Sequence, residues 1–234
     1  MGQHANLAIL DCATLPATLL AAHGSVGAQV RNWLAPHMPG ARFTRIAVAE
    51  GEPLPTAARF DGYLLPGSEK GVYDDAAWME PLQGFLLSLR DAQVPLVGIC
   101  FGHQLMAHTF GGRAQKMDHG MATGVRAFEV DGATLTGHVL HQDQVVERPA
   151  SATVIGRAPY CANAVLRYDF PALSFQFHPE YTPAFMRDAV GVLEGDALSA
   201  AEADAARASL CAVPPADLYA DEVAGFFAET ISVG

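Results

Sequence analysis

Short apolar runs alternate with amphipathic stretches over the first half of the chain, and this alternation carries the first structural reading. Leu7 to Leu10 is an apolar run of the length that a buried strand needs. Ala17 to Leu34 follows with alanines, leucines and a tryptophan compatible with a helix, weakened by Gly24 and Gly27. Phe43 to Val48 predicts a second strand, and Asp61 to Leu65 a third that enters the turn Pro66-Gly67-Ser68. Between Asp74 and Arg90, Trp78, Leu82, Phe85, Leu86 and Leu89 fall on one side of a helix. Pro95 to Ile99 adds a strand and His103 to Phe110 a helix, stopped by Gly111-Gly112. Strands and helices alternating in this way predict an α/β fold of three layers, with a mostly parallel central sheet and helices on both faces.

Beyond Gly124 the pattern shortens to β-like pieces at Gly124 to Val130, Thr136 to Leu140, Ala152 to Ile155, Ala164 to Tyr168 and Ala172 to Phe177. Segments so closely spaced predict a smaller antiparallel addition to the sheet. Helical patterning returns at Pro183 to Glu194, Ser199 to Leu210 and Asp217 to Thr230, punctuated by Gly195 and Pro214-Pro215. A length of 234 residues fits one large domain, which commonly takes roughly 100 to 250 residues. The expectation is a single domain over residues 1–234, with 182–234 as a C-terminal helical extension.

Composition narrows the function classes. Twenty-five acidic residues against 14 Lys and Arg leave a formal charge of -11, which opposes the phosphate neutralisation that drives nucleic-acid affinity. DNA, RNA and anionic membranes are therefore discounted as partners. No apolar segment approaches the roughly 20 residues of a membrane span, and the N-terminus lacks the basic start of a secretion signal. Cys12, Cys100, Cys161 and Cys211 form no CxxC pair, so neither a zinc knuckle nor a redox dithiol is indicated, and a cytoplasmic, reducing location is expected. His103, His108, His119 and His138 offer no His-x-x-x-His pair with an acidic third ligand. No metal and no cofactor are expected.

The candidate chemistry centres on Cys100. The run Val94-Pro95-Leu96-Val97-Gly98-Ile99 leads into Cys100-Phe101-Gly102-His103-Gln104, placing a thiol between two glycines where a strand passes straight into a helix. Such a turn excludes side chains at both flanking positions and lifts the central residue to the helix N-terminus, as in a nucleophile elbow. The helix dipole there favours a thiolate. A buried, inert thiol in a tight turn is the alternative. A thiol nucleophile needs a base, and an imidazole base needs a carboxylate to fix its tautomer and stabilise its cation. His178 and Glu180, in Phe175-Gln176-Phe177-His178-Pro179-Glu180, supply both at the end of another apolar run. Alone, His178 would read as a satisfied histidine at a strand end.

From Leu7 to about Glu180 the chain resembles the class I glutamine amidotransferase domains, of the kind that serve GMP synthase, and their γ-glutamyl peptidase relatives. The resemblance rests on Pro66-Gly67-Ser68 with Gly71-Val72-Tyr73-Asp74, on the elbow around Cys100, on His141-Gln142-Asp143-Gln144-Val145 and on Gln176-Phe177-His178-Pro179-Glu180, in that order. It implies a flavodoxin-like sheet carrying the site at its C-terminal edge. It also implies that Cys100 attacks the γ-carbonyl of glutamine or of another γ-glutamyl compound, that His178 shuttles the proton and that Glu180 orients His178. By the same resemblance the amides of Gly67 and Phe101 stabilise the oxyanion, and Gln104, His141 and Gln142 bind the substrate. Many amidotransferases have glycine where this chain has Gln142, which makes the peptidase-like branch more plausible. For His141-Gln142-Asp143 a plain polar turn remains open.

The implied reaction is hydrolysis of a γ-glutamyl amide through a thioester, releasing ammonia or an amine and then glutamate. Neither a Gly-x-x-x-x-Gly-Lys loop nor a Ser-Gly-Gly-x-Asp-Ser motif occurs, so any ammonia is used by a separate synthetase subunit or the enzyme works alone on a small-molecule γ-glutamyl substrate. The free-standing enzyme is the preferred reading. Specificity is expected in the loops Glu69 to Tyr73 and Lys116 to Thr123. A non-catalytic ligand-binding or regulatory protein on the same fold is the reading of a different class, and it has no use for Cys100, His178 and Glu180 together.

Overall fold

The computed structural model describes residues 5–118 and 120–231; His119, among the histidines considered for a metal, lies outside the described residues. The first half of the chain runs β1 (Asn6–Leu10), α1 (Ala17–His23), α2 (Val26–Leu34), β2 (Arg42–Ile46), β3 (Gly62–Leu65), α3 (Met79–Asp91), β4 (Leu96–Ile99) and α4 (Phe101–Thr109). It continues through β5 (Arg113–Lys116), β6 (Ala122–Val130), β7 (Ala133–His141), β8 (Asp143–Glu147), β9 (Ala152–Ala158), β10 (Cys161–Tyr168) and β11 (Ala172–Phe175). Helices α5 (Pro183–Leu193), α6 (Ala200–Ser209) and α7 (Ala220–Ile231) follow.

Nine strands form one sheet in the order β2-β1-β3-β4-β11-β10-β9-β6-β7, and β5 pairs with β8 in a separate two-stranded sheet. Pairing is parallel from β2 to β11 and antiparallel from there onward. The α/β reading of the sequence, a parallel centre with an antiparallel addition, is the architecture observed.

The parallel strands are apolar throughout because both their faces are covered. Successive residues point to opposite faces, and Ala8, Leu10, Tyr63, Leu65 and Leu96 enter one core with α3 and α4. Leu7, Ile9, Leu64, Val97 and Ile99 enter the other with α2 and α7. Helix α7 covers the sheet directly: Phe227 is fully buried, and a Cβ on Gly62 of β3 would come within 2.7 Å of its ring. Trp33 Nε1 on α2 donates to the carbonyl of Leu218 at 3.1 Å, tying α2 to the segment that leads into α7.

Local chemistry explains where the elements depart from the sequence reading. The long helix expected from Ala17 to Leu34 is two, because Gly24 takes φ 75° and Ser25 starts a new helix by accepting from the Ala28 amide. Gly27 is inside α2 for a different reason: its N–H donates to the buried carboxylate of Asp11 at 3.0 Å, and a Cβ would lie 2.9 Å from that oxygen. Helix α3 begins at Met79 rather than Asp74. Asp74 Oδ2 instead accepts from Gly71 N at 3.0 Å in a preceding turn. Pro81 then falls in the first turn of α3, where its missing N–H removes no helical bond. Strands β5 and β8 were not foreseen, since β5 buries only Ala114 and gives no apolar alternation. Among the described residues no helix is long and apolar enough to cross a membrane.

Two glycine substitutions test this packing in opposite directions. In Gly102→Ala the new Cβ would overlap the carbonyl of Leu65, so urea unfolding should show a loss of about 2 kcal/mol or more. Gly84 lies within α3, and a Cβ added there would meet nothing inside 4 Å, so Gly84→Ala should gain roughly 0.5–1 kcal/mol.

Candidate active site

The turn between β4 and α4 holds Cys100 at φ 52° and ψ −103°, a conformation that costs an L-residue about 1–3 kcal/mol and persists only where its surroundings impose it. Here they do. A Cβ on Gly98 would lie 2.8 Å from the Gly102 carbonyl, and one on Gly102 would run into the Leu65 carbonyl. Cys100 N donates to Phe175 O at 2.9 Å, tying the thiol-bearing residue to the end of β11, and its own carbonyl accepts the first helical bond from Gln104 N at 3.0 Å. Phe101 opens α4, so its N–H belongs to those a helix N-terminus leaves without an intrahelical acceptor.

His178 follows β11 by three residues, and its backbone is pinned from across the fold by a bond from His178 N to His138 O on β7, 2.8 Å long. Its Nδ1 lies 2.8 Å from Glu180 Oε1, with both side chains buried. That contact makes Nδ1 the donor and leaves Nε2, which is buried without a completed hydrogen bond, to Cys100. Burial works against the imidazolium, but the facing charges and hydrogen bonding of Cys100 and Glu180 outweigh it and raise the His178 pKa to about 10. Tyr181 stacks on the ring, centroids 4.0 Å apart and planes 9° from parallel. Gly67 is the neighbour on another side, where a Cβ would lie 2.9 Å from His178 Cε1.

Cys100, His178, Gly67, Gln104, His141 and Gln142 all line one cavity of about 630 Å³. The other two residues singled out from the sequence do not reach its surface: Glu180 stands behind His178, and the Phe101 ring is buried edge-on to Trp78 at 5.9 Å. Gln104 Nε2 donates to the Asp143 carbonyl at 2.8 Å and to Gln176 Oε1 at 3.2 Å, so its amide nitrogen fixes the 141–143 segment and its oxygen remains for a ligand. His141 Nδ1 donates to the same Asp143 carbonyl at 3.0 Å, and Gln142 Nε2 to Met117 O at 3.0 Å.

Three contributions were not read from the sequence, although Asp143 and Tyr73 stand in the motifs quoted above. Asp143 Oδ1 accepts from Tyr73 Oη at 3.0 Å, closing the polar wall from the opposite loop. Burial raises the pKa of Asp143, and burial followed by the Asp143 bond pushes Tyr73 up to about 12. Tyr181, next to the His-x-Glu pair, looks in sequence like core filling, and only its stack on His178 marks it. Among the described residues no group of three or more His, Cys, Asp or Glu side chains is placed to hold a metal ion. Buried His103 bonds Ser174 Oγ at 2.8 Å, and desolvation drives its pKa down to about 3.

The family model of glutamine amidotransferase class-I matches residues 42–190. Gamma-glutamyl peptidase 5 of Arabidopsis thaliana is 27% identical over 146 residues, which are 56% of this chain and 58% of that protein. The glutamine-hydrolyzing GMP synthase of Vibrio vulnificus is 33% identical over 132 residues, 52% of this chain and 24% of that protein. The chain thus spans just over half the length of the gamma-glutamyl peptidase it matches. Among solved structures, a glutamine amido transferase from Methylobacillus flagellatus superposes with a TM-score of 0.72 at 19% identity, covering 99% of this chain and 95% of that one. A glutamine amidotransferase from Thermotoga maritima gives 0.71 at 16% identity, covering 99% and 98%. These superpositions bear on the fold.

The His178–Glu180 pair has a measurable signature. Because the ring pKa is raised above its ordinary value near 6.5, its protonated form contributes stability that is complete below about pH 6.5 and disappears as pH rises through about 10. In Glu180→Gln the NMR titration of His178 should move down towards its ordinary value. The stability of that variant should depend less steeply on pH across the same window.

Proposed function

Because this chain belongs to the glutamine amidotransferase class-I family, we propose that it hydrolyses γ-glutamyl amides by a cysteine nucleophile, with Cys100, His178 and Glu180 as a catalytic triad. The observation that carries this is the strained Cys100 at the start of α4, sharing a cavity with an imidazole whose far nitrogen is bonded to a buried carboxylate at 2.8 Å. An inert thiol has no need of a positive φ beside a carboxylate-bound histidine.

In the proposed reaction, Sγ of Cys100 attacks the γ-carbonyl carbon and the carbonyl electrons move onto oxygen. The amides of Gly67 and Phe101 receive that oxyanion; a donor of this kind is worth roughly 3–4 kcal/mol in favourable cases. The C–N bond then breaks, nitrogen leaving with the bonding pair and taking a proton from His178 Nε2, so that ammonia or an amine departs and a thioester remains. Water, deprotonated by the same nitrogen, adds to the thioester carbon. Collapse expels sulfur and yields glutamate, and the proton returns to the Cys100–His178 pair. Glu180 keeps Nδ1 protonated and offsets the imidazolium charge throughout. No cofactor takes part in these steps. Gln104, His141 and Gln142 would hold the glutamyl end.

The preferred reading is a free-standing cytoplasmic γ-glutamyl hydrolase. A glutaminase subunit serving a separate synthetase is the second reading, favoured by the 33% identity to part of a GMP synthase. Assays of glutamate release from glutamine and γ-glutamyl compounds, with and without candidate synthetases, separate the two: glutamine activity seen only with a synthetase present would select the subunit.

Cys100→Ser should lower kcat/KM for glutamate release by roughly 10³-fold or more and abolish the adduct with diazo-oxo-norleucine. His178→Ala should cost a similar factor, and the double variant little more, because the two residues act as a unit. A wild-type protein that releases no glutamate and forms no adduct would point to the ligand-binding reading instead.

A further inference from the structure

The two walls of the cavity differ in chemistry. One is polar, formed by Gln104, His141, Gln142, Asp143 and Tyr73. The other begins at the imidazole and turns apolar along Tyr181 and Phe185, with Glu69, whose Oε2 accepts from Thr14 N at 3.0 Å, at its margin. Tyr181 stacks on His178 at 4.0 Å and Phe185 lies against Tyr181 at 4.3 Å. Leu19, Val26 and Ala189 continue from there in one buried cluster with these two rings. Half-buried Leu15 and Val192, 42% exposed, carry the same wall out to the mouth.

Reaction geometry assigns a part of the substrate to each wall. His178 must hand its proton to the departing nitrogen, so that nitrogen lies on the imidazole side of the sulfur, and whatever it carries runs along Tyr181 and Phe185. The α-ammonium and α-carboxylate of the glutamyl group are charged and lose too much hydration against an apolar surface, so they take the polar wall. Free glutamine loses only ammonia, which would leave the apolar wall uncovered. A cavity of about 630 Å³ falls within the roughly 300–1,000 Å³ that accommodates far larger ligands.

We infer that the substrate is the γ-glutamyl amide of an apolar amine, aliphatic or aromatic, whose side chain lies along Tyr181, Phe185 and Leu19. This rests on the γ-glutamyl hydrolase reading above. The bond changes are those already given, with the amine taking the place of ammonia: the C–N bond breaks, nitrogen keeps the electron pair and gains the His178 proton, and water replaces the thioester sulfur. Each methylene buried on the wall is a gain of roughly threefold to fourfold in binding, realised in kcat/KM as far as the transition state keeps the contact.

The test is glutamate release from glutamine and from the γ-glutamyl methylamide, butylamide, 2-phenylethylamide and 2-hydroxyethylamide, read as kcat/KM. The expected order has butylamide and phenylethylamide at least about tenfold above methylamide, with hydroxyethylamide near methylamide. In Leu15→Asp or Val192→Asp, both outside the deep core, the butylamide-to-methylamide ratio should fall at least about threefold; Ala189→Phe, which fills the wall, should reduce it further if that protein folds. Equal rates across the amides, or a preference for glutamine or the hydroxyethylamide, would overturn this inference and leave the hydrolase reading standing. Absence of release from every compound, together with no diazo-oxo-norleucine adduct, would overturn both.

Discussion

The site depends on how closely the first turn of α4 lies against the C-terminal end of β3. The Leu65 carbonyl occupies the space where any Cβ on Gly102 would stand, so only a residue without a side chain lets the helix start this near the sheet. The same turn holds Cys100 at a positive φ, and Met106 with the Gly102 backbone excludes a side chain at Gly98. The turn also sets Cys100 beside Gly67, two residues beyond Leu65 on the same strand exit, where the chain passes within contact of His178. The strain of one backbone angle is sustained by packing that the surrounding sheet supplies.

Asp143 organises the polar side of the cleft. Its carbonyl receives both Gln104 and His141, and its carboxylate receives Tyr73, so α4 and the loop after β3, both distant in sequence, converge with its own neighbour on one residue. These bonds hold the three side chains in place before any ligand arrives, although Tyr73 itself is exposed. The opposite wall achieves order by different means, through ring stacking and aliphatic contact.

How much of this the sequence disclosed follows from the range of each constraint. The parallel strands were legible because burial on both faces leaves them uniformly apolar, and the elbow because two glycines around a cysteine express a steric demand within five residues. The break at Gly24 was visible as a weakness and became a boundary once Ser25 could cap α2. The late start of α3 turned on a bond from Gly71 to Asp74 and on the position of Pro81, which periodicity does not register. Strands β5 and β8 bury too few apolar residues to announce themselves. The partnerships of Asp143 with Tyr73 and of Tyr181 with His178 depend on where loops from different strands meet or how rings lie, and no spacing in the chain encodes them.

Strands β4 and β11 are adjacent and parallel, with Ile99 opposite Phe175, so Cys100 and the segment leading to His178 leave the sheet from the same rung. In a pleated sheet a slip of one residue would send every side chain on β11 to the other face. The alignment of sulfur and ring is therefore digital: a molecule holds the correct rung and brings the two together, or it does not. A population would then divide into two kinds of molecule, with no degrees of misalignment between them.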